Sequence, residues 1–245
     1  MCGFETSTLW KEFGVMWEIK SCSKSDDCYP KHLRKIASAP ERLYYVGDIS
    51  LCDNVVIAVI GKRDAAQRYL QIARKIGEVL AREGCTVLNG LAIGCDTEAL
   101  EGAVAEQGKV VAVMPGGLDE IYPKSNKRLA EKILENGGCL ISEYPSGVKP
   151  QKYMFVQRDR IQAMLSNKVF VVDSETDGGT MHTAEYALKF SRPLGCFSES
   201  SNKEDKTPAG NRFLIESNKA TAVQDTEGLL KFLEEPEYQQ MSLFG

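Results

Sequence analysis

Between residues 55 and 198 the chain alternates continuous apolar runs with segments in which apolar residues recur at helical spacing. Leu70, Ala73, Ile76 and Leu80 illustrate that spacing. Continuous apolar runs are typical of strands buried on both faces. Alternation of such strands with amphipathic helices predicts an α/β fold, a mostly parallel Rossmann-like sheet with helices on both faces. The predicted strands are VVIAVIG (55–61), TVLNG (86–90), KVVAVMP (109–115), CLISEY (139–144), KVFVVDS (168–174) and PLGCFS (193–198).

Both ends of the chain depart from this alternation. Residues 1–50 are mixed in character, and we expect a short N-terminal extension that ends in an initial strand through Leu43–Val46. Residues 51–234 form the predicted Rossmann-like domain. Within it, the polar stretch ESSNKEDKTPAGNR (199–212) predicts an exposed loop. We expect residues 235–245 to form a flexible C-terminal tail.

Composition narrows the class of protein. The chain has 245 residues, 43% of them hydrophobic, and a net charge of −4, so any basic surface must be local. We find no apolar run long enough to cross a membrane and no signal peptide, so we expect no membrane association. Eight cysteines without a CxxC pair and only two histidines predict no metal site. Several of the cysteines lie within apolar runs, which is typical of a reduced, cytoplasmic protein with buried thiols. We also expect no cofactor.

Glycine and basic residues follow several of the predicted strands. Carboxyl ends of parallel strands meet at one edge of a sheet, where such folds bind ligands. Any single glycine turn has a simpler explanation as a tight turn, but recurrence at one edge favours a phosphate site. The candidates are Gly61, Lys62, Arg63, Asn89, Gly90, Gly94, Asp96, Lys124, Asn126, Gly178, Gly179 and Thr180.

A second signal is the basic segment KPQKYMFVQRDRIQAMLSNK (149–168). Lys152, Arg158 and Arg160 are candidate phosphate contacts, and Tyr153 and Phe155 lie between the basic residues. Basic groups with interleaved aromatics are typical of a groove for single-stranded nucleic acid. A charged loop whose aromatics pack inward remains an equal alternative. No catalytic residue is assigned, because no GxSxG motif is present and His182 has no evident partner.

Taken in order, the motifs resemble the DNA-processing protein A (DprA/Smf) family over about residues 42–218. They are VIGKRD, NGLAIGCDTEAL, PGGLDEIYPKSN, FVQRDRIQAMLS, VVDSETDGGTMHTAEYALKFSRPLGCF and GNRFLI. The resemblance implies a single-stranded DNA-binding protein, usually dimeric, that helps to load a RecA-type recombinase and is not an enzyme. By position it implies phosphate contacts at Arg63 and Lys124, within motifs that include Asn89, Gly90, Gly94, Asp96, Asn126, Arg158 and Arg160.

Four positions depart from that family's pattern. Ile93 stands where the family often has arginine, Lys62 where serine or threonine is typical, and Leu100 where histidine is common. Asp159 replaces asparagine and places an acid between two arginines. We expect these changes to leave the fold intact and to alter the charge of the binding site.

An enzyme of the related phosphoribohydrolase-like superfamily, which processes or senses nucleotides, is the alternative. Pro115-Gly116-Gly117 suggests it, but the Gly-Gly-Thr element lies separately at 178–180. At the other end of the chain, QMSLF (240–244) resembles the peptide by which bacterial proteins dock on the replication sliding clamp. Gln240, Leu243 and Phe244 would be the anchors. A tail that packs on its own domain is the other interpretation.

Overall fold

A computed structural model describes residues 8–12, 15–199 and 206–236, and within these ranges the chain forms eleven strands and eight helices. The strands are β1 (Thr8–Glu12), β2 (Val15–Glu18), β3 (Lys20–Ser23), β4 (Arg42–Gly47), β5 (Val56–Ile60), β6 (Thr86–Asn89), β7 (Val110–Val113), β8 (Cys139–Ser142), β9 (Lys168–Val171), β10 (Leu194–Phe197) and β11 (Thr221–Val223). The helices are α1 (Lys31–Arg34), α2 (Gln67–Arg82), α3 (Cys95–Ala105), α4 (Lys127–Glu135), α5 (Lys152–Leu165), α6 (Gly179–Lys189), α7 (Ala209–Glu216) and α8 (Thr226–Glu234).

Nine of the described strands form one sheet in the order β11-β10-β9-β5-β6-β7-β8-β4-β3. Strands β11 through β8 in that order pair in parallel, which confirms the predicted α/β, Rossmann-like class. The central strand β5 shows why its sequence is apolar throughout. Val56, Ala58 and Ile60 face one core and Ile57 and Val59 face the other.

Helices cover both faces of the sheet. Apolar side chains of α2, α3, α4 and α8 form one core with the sheet, and those of α1, α5, α6 and α7 form the other. Cys95 and Cys139 are fully buried, one in each core. Each core extends along one face of the sheet, and close packing of these cores keeps the strand ends and their loops in fixed positions.

The chain reverses its direction across the sheet beside β5. Strands β5, β6, β7 and β8 proceed outward on one side, whereas β9, on the other side of β5, begins the path to β10 and β11. The connections that leave β5 and β9 therefore diverge and open a crevice at the carboxyl ends of these two strands. Ligands bind at this point in open α/β sheets.

The N-terminal residues add to this sheet. β4 pairs antiparallel with β8, and β3 pairs antiparallel with β4, whereas β1 and β2 form a separate two-stranded sheet. The expected initial strand through Leu43–Val46 is confirmed within β4. Residues 20–47 thus contribute strands to the main sheet, although sequence alone assigned them to an extension.

The prediction of one exposed loop over residues 199–212 was wrong at its C-terminal end. Helix α7 begins at Ala209, and Asn211 is fully buried. The Asn211 amide donates hydrogen bonds to the carbonyls of Val172 (3.1 Å) and Phe197 (2.9 Å), which join α7 to the ends of β9 and β10. A polar residue here satisfies buried backbone groups, so polarity did not indicate exposure.

Candidate functional site

A cleft of about 640 Å³ opens at the switch point between β5 and β9. Its walls are the turn after β5, the loop from β9 into α6, and one face of α5. Four cations and four acids line it, so its formal charge is balanced rather than strongly positive. The cations are Lys62, Arg63, Lys152 and Arg158, and the acids are Asp64, Asp96, Asp159 and Glu175.

The turns after β5 and β6 interlock at the base of this cleft. The Cys95 amide donates to the Lys62 carbonyl (3.1 Å), and the Lys62 amide donates to the Asp173 carbonyl after β9 (3.0 Å). Gly94 has a φ of +84°, and a Cβ there would lie 2.4 Å from the Lys62 carbonyl oxygen. Glycine at 94 therefore supplies a backbone conformation and a close approach that other residues could not adopt without strain.

Arg158 lies at the centre of the cleft floor. Its side chain comes from α5, is only 5% exposed, and passes directly over Gly90, where an added Cβ would lie 0.7 Å from Nη1. Asp96 supports the same turn, since its Oδ2 accepts hydrogen bonds from the amides of Gly90 (3.1 Å) and Ala92 (3.4 Å). The glycine, the carboxylate and the guanidinium thus form one packed unit.

Lys62 is already paired. Its Nζ lies 2.7 Å from Glu175 Oε1 across the mouth of the cleft and 3.9 Å from Asp64. The hydrogen bond from Lys62 to Glu175 raises the pKa of the lysine, which therefore stays charged. An anion entering the cleft must compete with Glu175 for this cation.

Aromatic side chains border the cleft. The Arg63 guanidinium lies over the Phe155 ring at 5.5 Å, and Tyr122 meets the same ring edge-to-face at 5.4 Å. A smaller cleft of about 80 Å³ continues from Arg63 and Phe155 to Tyr122 and the exposed Ile93. Ile93 extends the apolar rim at the position where the family often has arginine.

The N-terminus of α6 forms the opposite wall. Gly178, Gly179 and Thr180 line the cleft, and no side chain caps the helix at Gly178. Backbone amides and the helix dipole favour an anion at such an end. His182, one turn further, is exposed and also lines the cleft.

Burial changes the acidity of the carboxylates around the floor. Desolvation raises the pKa of Asp96 to about 6, against the opposing effect of Arg158. Burial likewise raises the pKa of Asp159 and that of Asp173, each partly offset by nearby cations. These acids accept protons more readily than exposed ones, and a bound anion would increase that tendency.

Several candidate residues lie apart from the cleft or bind other parts of the protein. Lys124 is exposed and paired with Glu120 at 2.8 Å. Arg160 pairs with Glu143 at 3.0 Å and donates to the Ser38 carbonyl. The Asn126 amide donates to the Leu91 carbonyl and to Thr97, and the Asn89 amide to the carbonyls of Val59 and Asp96. These asparagines hold the turns in place, and a role for them in binding DNA stays a prediction.

Most of the basic segment 149–168 is helical, because α5 spans Lys152–Leu165. Tyr153 is exposed, Phe155 is half-buried, and Lys152 lines the cleft. Gln162, which sequence did not single out, is also part of the floor. Its spacing of four residues from Arg158 would have placed both on one helix face. Gln240, Leu243 and Phe244 lie outside the described residues.

Comparison with known proteins identifies the family. The model of the family "DNA recombination-mediator protein A" matches residues 20–234. The chain belongs to this family. It is similar to the DNA processing protein DprA of Streptococcus pneumoniae, with 37% identity over 186 residues, which cover 76% of this chain and 64% of that protein.

Two solved structures are similar in fold. That of DprA from Streptococcus pneumoniae has a TM-score of 0.77 and 34% identity, covering 86% of this chain and 73% of that one. The second, DNA processing protein A from Helicobacter pylori, has a TM-score of 0.76 and 27% identity, covering 94% and 96%. The Helicobacter pylori protein has a single-stranded DNA binding mode that is described as unique. The chain spans about half the length of several curated relatives that it matches.

Membrane spans and metal clusters were both expected to be missing from this chain. No helix among the described residues is long and apolar enough to cross a membrane. No group of three or more His, Cys, Asp or Glu side chains in these ranges could hold a metal ion.

Proposed function

We propose that this chain binds single-stranded DNA in the switch-point cleft and acts as a recombination mediator. The observation that carries the proposal is the convergence of Lys62, Arg63, Lys152 and Arg158 on one cleft that aromatic side chains border. Cations bind the backbone of a strand, and aromatic rings accept its bases regardless of sequence. Family membership and the Helicobacter pylori relative support the same function.

Different residues of the cleft would contact different parts of a DNA strand. Arg63 and Lys152 at the rim supply positive charge, and the α6 N-terminus with Gly178, Gly179 and Thr180 offers backbone amides to a phosphate. Phe155 and Tyr122 provide apolar surface beside these groups. Lys124 and Arg160 would contact only the part of a DNA strand that extends beyond the cleft.

Replacement of Arg63 by alanine tests the proposal. We expect Arg63→Ala to weaken binding of a fluorescent single-stranded oligonucleotide and to reduce the slope of log affinity against log salt by about 0.7, the value for one phosphate contact. Arg128→Ala removes the same charge from an exposed helix position and is the matched control. Equal losses in both variants, measured by fluorescence anisotropy, would contradict a specific role for the cleft.

We propose further that the bound strand is passed to a RecA-type recombinase in the cytoplasm. Membership of the recombination-mediator family supports the transfer, and the reduced, mostly buried cysteines suit a reducing compartment. The chain should accelerate assembly of such a recombinase on single-stranded DNA, measured by the DNA-stimulated ATPase of the recombinase. If the lag before the ATPase reaches its full rate is unchanged by the chain, the transfer proposal is contradicted.

We also propose a homodimer and a contact with the sliding clamp. Phe213, a large apolar side chain exposed on α7, supports an interface between copies, and sedimentation of wild type against Phe213→Ser tests it. The clamp proposal depends on QMSLF (240–244) and is tested by a pull-down with purified clamp. The double variant Leu243→Ala/Phe244→Ala should lose the clamp. Equal retention of both proteins would refute the contact.

Binding rather than catalysis is our proposal for the cleft. Gly116 and Gly117 pack against residues 145–150, since the Gly117 amide donates to the Val148 carbonyl at 2.8 Å. The Pro-Gly-Gly turn that suggested an enzyme therefore has a partner within the protein. An assay for release of free base from nucleoside monophosphates should show no turnover.

A further inference from the structure

Three neighbouring side chains of α5 form the deepest part of the cleft. Arg158, Asp159 and Gln162 all line it, and they are 5%, 9% and 2% exposed. Residues separated by three or four positions lie on one face of a helix, so this set faces the cleft together. Arg158 supplies the guanidinium donors of the set.

Their mutual contacts leave some of their hydrogen-bonding groups unused. The Gln162 amide nitrogen donates to Asp159 Oδ1 at 2.8 Å, which orients the amide and leaves Gln162 Oε1 as a buried acceptor. No donor among the described residues reaches Oε1. Among the described residues, no acceptor forms a hydrogen bond with Arg158 Nε or Nη1. Nε does lie 3.1 Å from Asp159 Oδ1, as an ion pair. Buried groups of this kind are costly unless a ligand satisfies them.

A phosphate alone does not use all of these groups. A phosphodiester carries acceptors alone, so it could satisfy Arg158 but leaves Gln162 Oε1 without a donor. The donors of a DNA strand lie on its bases. A matching base must present one acceptor for the arginine and two adjacent donors for the acceptors.

Guanine presents that set on its Watson–Crick edge: the O6 acceptor followed by the N1–H and N2–H donors. Thymine offers a single N–H between two carbonyls, and adenine and cytosine each offer one amino group beside acceptors. Arginine is a frequent partner of guanine O6, and carboxylates accept hydrogen bonds from base amino groups.

We propose that the cleft floor reads one guanine base through Arg158, Asp159 and Gln162. The inference rests on the proposed function, because it assumes that a strand enters the cleft. Asp159, which stands where the family has asparagine, is then a specificity-determining residue rather than a defect in a phosphate site. The rest of the strand is held without regard to sequence by the cations of the rim.

The test compares oligo-dT strands of about 15 nucleotides that differ only at one central base. Thymine, guanine and inosine are placed there, and affinity is measured by fluorescence anisotropy. We expect guanine to bind about tenfold more tightly than thymine, the order of one well-made base contact. Inosine, which lacks the N2 amino group, should lose most of that advantage. Equal affinity for all three strands would overturn the inference while leaving strand binding intact.

Protein variants give the second arm. Asp159→Asn should reduce the preference for guanine over thymine to less than twofold, whereas Asp27→Asn, an exposed acid outside the cleft, should retain it. An unchanged preference in Asp159→Asn would contradict the assignment. Deoxyguanosine monophosphate serves as a separate probe. If it binds but none of the oligonucleotides does, guanine recognition stands and the strand-binding function fails.

Discussion

A guanidinium group occupies the space where residue 90 would carry a side chain. Any Cβ at Gly90 would lie 0.7 Å from Arg158 Nη1, so the glycine is what allows the arginine to reach the cleft floor. Gly90→Ala should therefore displace Arg158 and weaken oligonucleotide binding about tenfold, equivalent to one charge-assisted contact of about 1.5 kcal/mol. Gly228→Ala, on α8 with ordinary contacts, is the control. Wild-type affinity in Gly90→Ala would show that Arg158 does not act there.

Asp96 predicts an unusual dependence of stability on pH. Burial raises its folded pKa to about 6, whereas an unfolded aspartate titrates near 4. Between these values the folded protein holds more protons than the unfolded chain, so acidification favours folding. The contribution of Asp96 to the free energy of unfolding is therefore largest at low pH, and it is lost as the pH rises through 6.

We expect the free energy of unfolding in urea to increase by about 1 kcal/mol from Asp96 when the pH falls from 7.5 to 5. The pKa values of Asp159 and Asp173 are raised as well and act in the same direction. Asp96→Asn should flatten the profile. Identical pH profiles for the wild type and Asp96→Asn would contradict the assigned burial.

The sequence predicted which residues line the cleft more readily than it predicted their hydrogen-bond partners. Gly61, Lys62, Arg63 and the glycines before α6 were predictable because glycine and charge at strand ends form a pattern. The internal bonds of Asn89, Asn126 and Arg160 depend on contacts between distant segments, as Arg160 does with Ser38. A single sequence carries no signal for such contacts.

At the scale of elements, α8 is joined to the sheet by a buried lysine. Lys168, 4% exposed at the start of β9, donates to the carbonyls of Phe232, Leu233 and Glu235 at the end of α8. These carbonyls have no partners within the helix, and a cation there also complements the helix dipole.

Removal of this charge should loosen α8. Lys168→Met is expected to lower the free energy of unfolding by about 3 kcal/mol, because the terminal carbonyls lose their charged donor and stay buried. Lys189→Met, exposed on α6, should change it by less than about 0.5 kcal/mol. Chemical denaturation measures both, and similar values for the two variants would refute the role of Lys168.

Periodicity predicted the elements well where burial determined the sequence. Every strand from β5 to β10 lies within a predicted apolar run. Helix α7 was missed, because polar residues there satisfy buried backbone groups. Strands β1 to β3 lie at or beyond the sheet edge, where the apolar pattern is weak.

At the scale of the whole molecule, the strand order creates the site. β5 and β9 are neighbours in the sheet although more than 100 residues separate them, as the pairing of Ile57 with Lys168 shows. Their diverging loops bring the first glycine turn, the α5 face and the α6 N-terminus together. The net charge of −4 does not extend to this cleft, where four cations are matched by four acids.

The most direct test of the account is a salt titration of wild-type binding to a single-stranded oligonucleotide and to its duplex. With Lys62, Arg63 and Lys152 on phosphates, log affinity for the single strand should fall against log salt with a slope of about −2. The duplex, whose paired bases cannot enter the cleft, should bind more weakly at every salt concentration. Absence of binding to the single strand at about 50 mM salt, or equal binding of both forms, would contradict the account.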